Sequence, residues 1–221
     1  MSWIDNRYHK GSEKSGFLPS HLNFDRYMPQ LTEGCLVEIG ADRGEGSTQH
    51  MAELARQYNR QFYSVDFDED IATNARTSVM HLDNAHVFYD TGEHFMTQMF
   101  PQINKKICAA YLDNFDWQYK DGNEKMHQRQ IREYKDNHNT EMTNLNSQLV
   151  HFQQTIEIVK HSADKCLVVF DDTWQNPDQT FNGKGGSAIQ YLLLNGFKVL
   201  NDVPMAETVV KGLVILGKNV T

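Results

Sequence analysis

Residues 37–47, VEIGADRGEGS, constrain what this chain can fold into more than any other segment. An apolar, strand-like run at 35–39 leads into them, and a helical pattern at 47–59 starts from them with Ser47 as its N-cap. Gly40, Gly44 and Gly46 stand between the two. A turn of that composition reverses tightly and lets a ligand reach backbone that side chains would cover. Downstream, residues 61–65, 85–89, 106–112 and 165–170 read as strands, and 69–81, about 93–100 and 186–196 as helices. Strands alternating with helices predict βαβ units and a doubly wound, mostly parallel α/β sheet. The closing runs FKVLNDV and ETVVKGLVILGK are separated by a short turn around Pro204. That link is too short for a parallel crossover, so the last of seven strands is expected to be antiparallel. In such a sheet, ligands bind at the carboxyl ends of the strands.

The chain has 221 residues, enough for one domain with a substantial core. Its net charge of −8 repels phosphate backbones and anionic lipid, so neither nucleic acid nor membrane is expected as a partner. No apolar run reaches the length of about 18 residues that spans a bilayer. The polar start, MSWIDNRYHKGSEKSG, lacks the apolar core of a signal peptide. Cys35, Cys108 and Cys166 each open a strand-like run, which reads as buried thiols in a reducing cytoplasm. Residues 1–34 read as an N-terminal substrate or cap segment of the single domain, 1–221.

One insertion breaks the rhythm, a helical stretch at about 118–150 between strands four and five. Met142, Leu145, Leu149, Phe152, Ile156 and Val159 form an apolar seam at helical spacing, expected to pack on the sheet as a crossover helix. The polar part, 121–140, is expected to cap the site or to make a homo-oligomer contact. His127, His138, His151 and His161 read as a solvated helix face.

Three cofactor classes use strand–glycine turn–helix units. A phosphate-binding loop of the GxxxxGK[ST] type needs a lysine that Gly46-Ser47-Thr48 lacks. The GxxxGxG spacing does not match the GxGxxG dinucleotide pattern. Short-chain dehydrogenases do use GxxxGxG, but no tyrosine here has a lysine four residues on. What remains resembles the class I S-adenosylmethionine-dependent methyltransferases. The resemblance rests on Glu38-Ile39-Gly40 onward, on Ser64-Val65-Asp66 ending the second strand, and on Thr91-Gly92-Glu93 after the third. It implies a Rossmann-like methyltransferase fold with Glu38, Gly40, Gly44, Gly46, Ser47, Asp66 and Glu93 holding the cofactor. Asp66 would accept from the ribose hydroxyls and Glu93 from the adenine amino group, while Asp68, Glu69 and Asp70 read as helix-start charges.

Strand four ends in YLDNFDWQY and strand five in VVFDDTW, so Asp113, Asp171 and Asp172 all fall at the ligand edge. Carboxylates converging there repel unless a cation joins them. Hard oxygen ligands select Mg²⁺, Ca²⁺ or Mn²⁺; the alternative is that these acids cap helices or bind backbone amides. Together with KGSEKSGFLPSHLNFDRY and GKGGSAIQYLL, these residues are similar to the metal-dependent O-methyltransferases that modify sugars on macrolides and aminocoumarins. The similarity covers roughly residues 10–195 in short, scattered matches. It implies Mg²⁺ on Asp113, Asp171 and Asp172, positioning a sugar hydroxyl, with Asp113 and Asp116 as catalytic residues and Asp116 the base. Asn114-Phe115 and the long insertion depart from that family's pattern. Phe115, Trp117 and Trp174 flank the acids and wall an acceptor pocket or pack in the core. Gly183–Gly186 reads as a mobile loop, in which Lys184 meets an anionic substrate or is merely part of a linker.

The expected activity is therefore methyl transfer to a hydroxyl of a small-molecule acceptor. The alternatives are a hydroxylase-like or other non-methylating enzyme on the same fold, and an oligomerising binding module built on the long helix.

Overall fold

The computed structural model describes residues 20–41, 46–118, 124–200 and 212–221. Residues 1–19, Gly44 and the turn near Pro204 lie outside them. The chain runs α1 (Ser20–Tyr27), a single 3₁₀ turn (Met28–Gln30), β1 (Cys35–Ile39), α2 (Ser47–Gln57), β2 (Phe62–Asp66), α3 (Glu69–Val79) and β3 (Ala85–Tyr89). The next helical run, α4, has three pieces: Gly92–His94, a π turn at Phe95–Met99, and Phe100–Ile103. Then come β4 (Ile107–Leu112), α5 (Glu124–His138), α6 (Asn144–His161) and β5 (Ser162–Phe170). A short hairpin, β6 (Thr173–Gln175) and β7 (Phe181–Gly183), precedes α7 (Gly186–Leu194), β8 (Phe197–Val199) and β9 (Val214–Lys218).

Seven strands form one sheet in the order β3-β2-β1-β4-β5-β9-β8. Pairs β3–β2, β2–β1, β1–β4 and β4–β5 are parallel. Strand β9 runs antiparallel to both β5 and β8. The doubly wound sheet with an antiparallel closing strand thus agrees with the sequence pattern. β1, β2 and β4 are buried along their whole length, as strands covered on both faces must be.

Two apolar clusters sandwich the sheet. On one face Phe24, Met51, Leu54 and Val79 from α1–α3, with Met28 from the 3₁₀ turn, meet Leu36, Phe62, Ala109 and Leu167. On the other, Phe95, Phe100, Ile158, Ile189 and Leu192 from α4, α6 and α7 meet Val37, Val65, Ala110 and Val168. Phe24 and Met28, from the N-terminal segment, have no exposure and join this core. Cys35, Cys108 and Cys166 are buried free thiols in β1, β4 and β5.

The expected seam holds in the second half of α6, where Phe152 and Val159 pack against the second cluster, and fails in the first half. Leu145 and Leu149 are exposed, at 66% and 54%. The buried face carries Ser147, Val150, His151, Gln154, Thr155 and Ile158. A polar face turned inward places hydrogen-bonding groups against the carboxyl edge of the sheet, so His151 is buried rather than solvated. Among the described residues, no helix is long and apolar enough to cross a membrane.

Candidate active site

The last residues of β1, β2, β4 and β5 share one edge because parallel strands point the same way. Glu38, next to last in β1, is fully buried. Its Oε2 accepts from Thr48 Oγ1 and from Ser64 Oγ, each at 2.7 Å. These charge-assisted bonds tie the first turn of α2 to β2. Glu38 therefore holds the frame of the glycine turn.

Gly40 has φ +95°, and a Cβ there would lie 2.6 Å from Asn114 N and 2.7 Å from the Asp113 carbonyl carbon. The loop after β4 thus rests directly on the glycine turn. Gly40→Ala is expected to lower stability by about 2–4 kcal/mol, combining positive-φ strain with overlap against backbone that cannot yield. Urea unfolding measures this; a midpoint like that of the parent chain would show that the loop moves freely. Gly46 has φ +82° and leads into Ser47. The Ser47 hydroxyl is buried and has no hydrogen-bond partner among the described residues.

Asp66 ends β2 and is 7% exposed. The Ala41 N–H donates to its Oδ2 at 2.8 Å and the Asp68 N–H to its Oδ1 at 2.9 Å. Burial pushes its carboxyl up to about 7; those two N–H groups pull down, and Asp68 and Asp113 push up again. Asp68 is the N-cap of α3, accepting from the Asp70 and Ile71 N–H groups, and Glu69 and Asp70 are exposed in its first turn. Glu93 opens α4, where Gln154 Nε2 donates to it at 3.3 Å. Burial pushes its carboxyl up as well. Gln154 is fully buried, and its Oε1 has no partner among the described residues. The neighbouring His94 is exposed and pairs with Asp90 at 2.6 Å.

Strand pairing carries over into the acids. The Asp113 N–H donates to Ile39 O at 2.8 Å and the Asp171 N–H to Leu112 O at 3.1 Å. The Tyr111 hydroxyl lies 3.3 Å from Asp113 Oδ2 and 3.2 Å from Asp171 Oδ2. Asp172 is buried with φ +46°. Phe115 has φ +50°, a rare state for a bulky residue that costs about 1–3 kcal/mol. It is held there by Ser147 Oγ donating to its carbonyl at 2.9 Å and by the Tyr134 ring at 4.4 Å. Tyr134 also stacks on Phe67 at 4.1 Å, which lays α5 over the ends of β2 and β4. Trp117 and Trp174 meet edge to face, 5.8 Å apart, beside the acids.

The centre of the cluster is Lys184, which has no exposure. Its Nζ lies 2.7 Å from Asp113 Oδ1, 3.2 Å from Asp172 Oδ2 and 3.9 Å from Asp116 Oδ1. It also donates to the Asp113 carbonyl at 3.3 Å. Burial alone would push this ammonium down, but Asp113, Asp172, Asp116 and Asp171 outweigh it and the net direction is up. The expected mobile loop is in fact closely packed. Gly183, at φ +84°, leaves no room for a Cβ against the Asp172 carbonyl, and Gly185 presses on the Phe170 ring. The Lys184 N–H donates to Asp172 O at 3.0 Å and the Gly185 N–H to Thr173 Oγ1 at 2.9 Å. The glycines are there for close approach, and that approach buries the lysine.

Sequence reasoning missed this role for Lys184 and a second residue, His151. The His151 ring is fully buried, with Nδ1 2.7 Å from Ser147 O. That contact puts the proton on Nδ1, and Nε2 has no partner among the described residues. Burial, then the Lys184 charge, holds its pKa down at about 3, so the imidazole is neutral. In sequence, a buried polar stripe on a helix looks the same as a solvated one.

The expectation of a metal ion on Asp113, Asp171 and Asp172 does not fit this arrangement. Asp113 and Asp172 turn to an ammonium, and Asp171 to Tyr111. Among the described residues, no three His, Cys, Asp or Glu side chains are placed to share an ion.

No protein-family model matches the sequence, and no curated protein sequence does either. The fold does have solved counterparts. An rRNA methylase from Streptococcus thermophilus superposes with a TM-score of 0.56 at 12% identity, covering 92% of this chain and 98% of that one. A precorrin-6y C5,15-methyltransferase from Geobacter metallireducens gives 0.53 at 7% identity, covering 95% and 93%. Fibrillarin from Aeropyrum pernix, solved with natively bound S-adenosyl-L-methionine, gives 0.54 at 9% identity, covering 85% and 68%. The chain has the Rossmann-like methyltransferase fold.

Proposed function

We propose that this chain is an S-adenosylmethionine-dependent methyltransferase acting on a hydroxyl of a small molecule. The observation that carries the reading is Asp66. A carboxylate, anchored by two backbone N–H groups, sits at the end of β2 near Gly40, where a Cβ would overlap the backbone after β4. That is the chemistry a ribose diol needs. The residues present also fit the rest of an adenosyl ligand. Glu93 and Gln154 Oε1 would accept from an adenine amino group, and the Ser47 hydroxyl and Gly46 would meet the ligand at the start of α2; Gln154 Oε1 and the Ser47 hydroxyl have no partner among the described residues. Glu38 would act beneath, by holding the turn.

When bound, the cofactor supplies a methyl group already activated on a sulfonium. The protein's task is alignment of two reactants and removal of one proton. Asp116, half-buried at the cluster's open side, would take that proton from the acceptor hydroxyl. The product of such a transfer would be the acceptor's methyl ether. Trp117 and Trp174 would wall the acceptor. The name of one fold counterpart, the rRNA methylase, favours a second reading with an RNA acceptor. The charge of −8 favours the small molecule.

Calorimetry with S-adenosylhomocysteine tests the cofactor, and radiolabelled methyl transfer to RNA and to a set of hydroxylated metabolites separates the acceptors. No binding heat would leave a non-methylating enzyme or a binding module. The pH dependence has a definite sign. Ribose hydroxyls donate to the charged form of Asp66, whose carboxyl is pushed up to about 7. Affinity should be level above pH 7 and fall about tenfold per pH unit below it, as binding then has to expel a proton. A flat profile from pH 5.5 to 8 (roughly the span over which an acid near 7 changes charge) would remove Asp66 from the ribose.

A further inference from the structure

We propose that the Lys184 ammonium stands where the resemblance to metal-dependent enzymes puts a divalent ion, and that this site works without metal. An ammonium has three protons to donate. Lys184 finds three acceptors within hydrogen-bond distance: Asp113 Oδ1 at 2.7 Å, Asp172 Oδ2 at 3.2 Å and the Asp113 carbonyl at 3.3 Å. An Mg²⁺ ion would need the same carboxylates at about 2.0–2.1 Å in an octahedral shell, and so cannot share that space with Nζ.

Lys184 is not free to swing aside. Its side chain has no exposure, and its own N–H and that of Gly185 are bonded to Asp172 O and Thr173 Oγ1. Gly183 and Gly185 are each packed too closely for a side chain, against the Asp172 carbonyl and the Phe170 ring respectively. Removing the lysine from the cluster means opening the β6–β7 hairpin. The arrangement is a fixed charge built by the backbone, with Asp116 3.9 Å from it. Lys184 is thus a positioning residue. It orients Asp113 and sets a positive charge 3.9 Å from Asp116 without touching the acceptor. The claim about cation occupancy stands on this geometry alone; the claim about the reaction rests on the proposed methyl transfer.

The test uses the whole chain and Mn²⁺ as probe, following the loss of the free-ion signal by electron paramagnetic resonance. The parent protein is expected to take up no Mn²⁺ at this cluster. Lys184→Ala, which vacates the ammonium's place, is expected to take up one ion per chain and to lose it again when Asp113→Asn is added. Uptake by the parent chain that Asp113→Asn abolishes would overturn the proposal; uptake that survives Asp113→Asn lies elsewhere and leaves the cluster metal-free, as expected. A Lys184→Ala variant with parent-like circular dichroism that still takes no ion would also overturn it. If that variant does not fold, the parent-chain measurement decides by itself. None of these readings needs the cofactor. Failure of S-adenosylhomocysteine to bind would end the methyl-transfer reading and leave the metal result untouched.

Discussion

Asp66→Ala is expected to weaken S-adenosylhomocysteine binding by about a hundred- to a thousandfold. Hydrogen bonds to a charged acceptor contribute about 1.5–3 kcal/mol each, and a ribose diol would place two of them on this carboxylate. Stability should change much less. The substitution leaves the Ala41 and Asp68 N–H groups without their acceptor, but it also removes a carboxylate that burial makes costly to ionise above about pH 7. Calorimetry for affinity and thermal unfolding for the fold separate the two effects. Parent-like affinity in a folded Asp66→Ala protein would mean that the ribose, if bound at all, sits elsewhere.

Lys184→Met should be the most destabilising single change at the site, by about 3–5 kcal/mol, since it removes the buried positive charge that offsets the desolvation of Asp113 and Asp172. Asp172, 3% exposed and 3.2 Å from Nζ, bears the largest part of that loss. Methionine fills much of the same volume, so little of the loss should come from a cavity. The diagnostic is a double-mutant cycle. Asp172→Asn in the Lys184→Met background should recover part of the stability, and urea unfolding of the four proteins gives the coupling. Strict additivity would show that Lys184 stabilises by packing alone. A loss well under 1 kcal/mol would show that water or another cation reaches the acids.

The strand ends were legible in the sequence because local pattern encodes them. Glycines at 40 and 46, acids at 38, 66, 113, 171 and 172, and alternating apolar runs place these residues at one edge of a parallel sheet. Their placement follows from strand direction alone. The helix at 144–161 was legible as a helix but not in its rotation. Leu145 and Leu149 read as core and are exposed, while His151 reads as surface and, with Ser147 and Gln154, has no exposure. Periodicity finds stripes, but the side turned inward depends on what waits there. Here Phe115 O, Gly183 O and Glu93 offer partners to a polar stripe.

By itself, then, the sequence determined the class of sheet, its antiparallel closing strand and the edge where the carboxylates gather, since these depend on short-range pattern and chain direction. Only the tertiary structure decided which cation those carboxylates meet. Lys184 lies 71 residues from Asp113, and no local rule links the two. The hairpin after β5 and its closely packed glycines bring them together, turning a place that reads in sequence like a metal site into a buried ion pair.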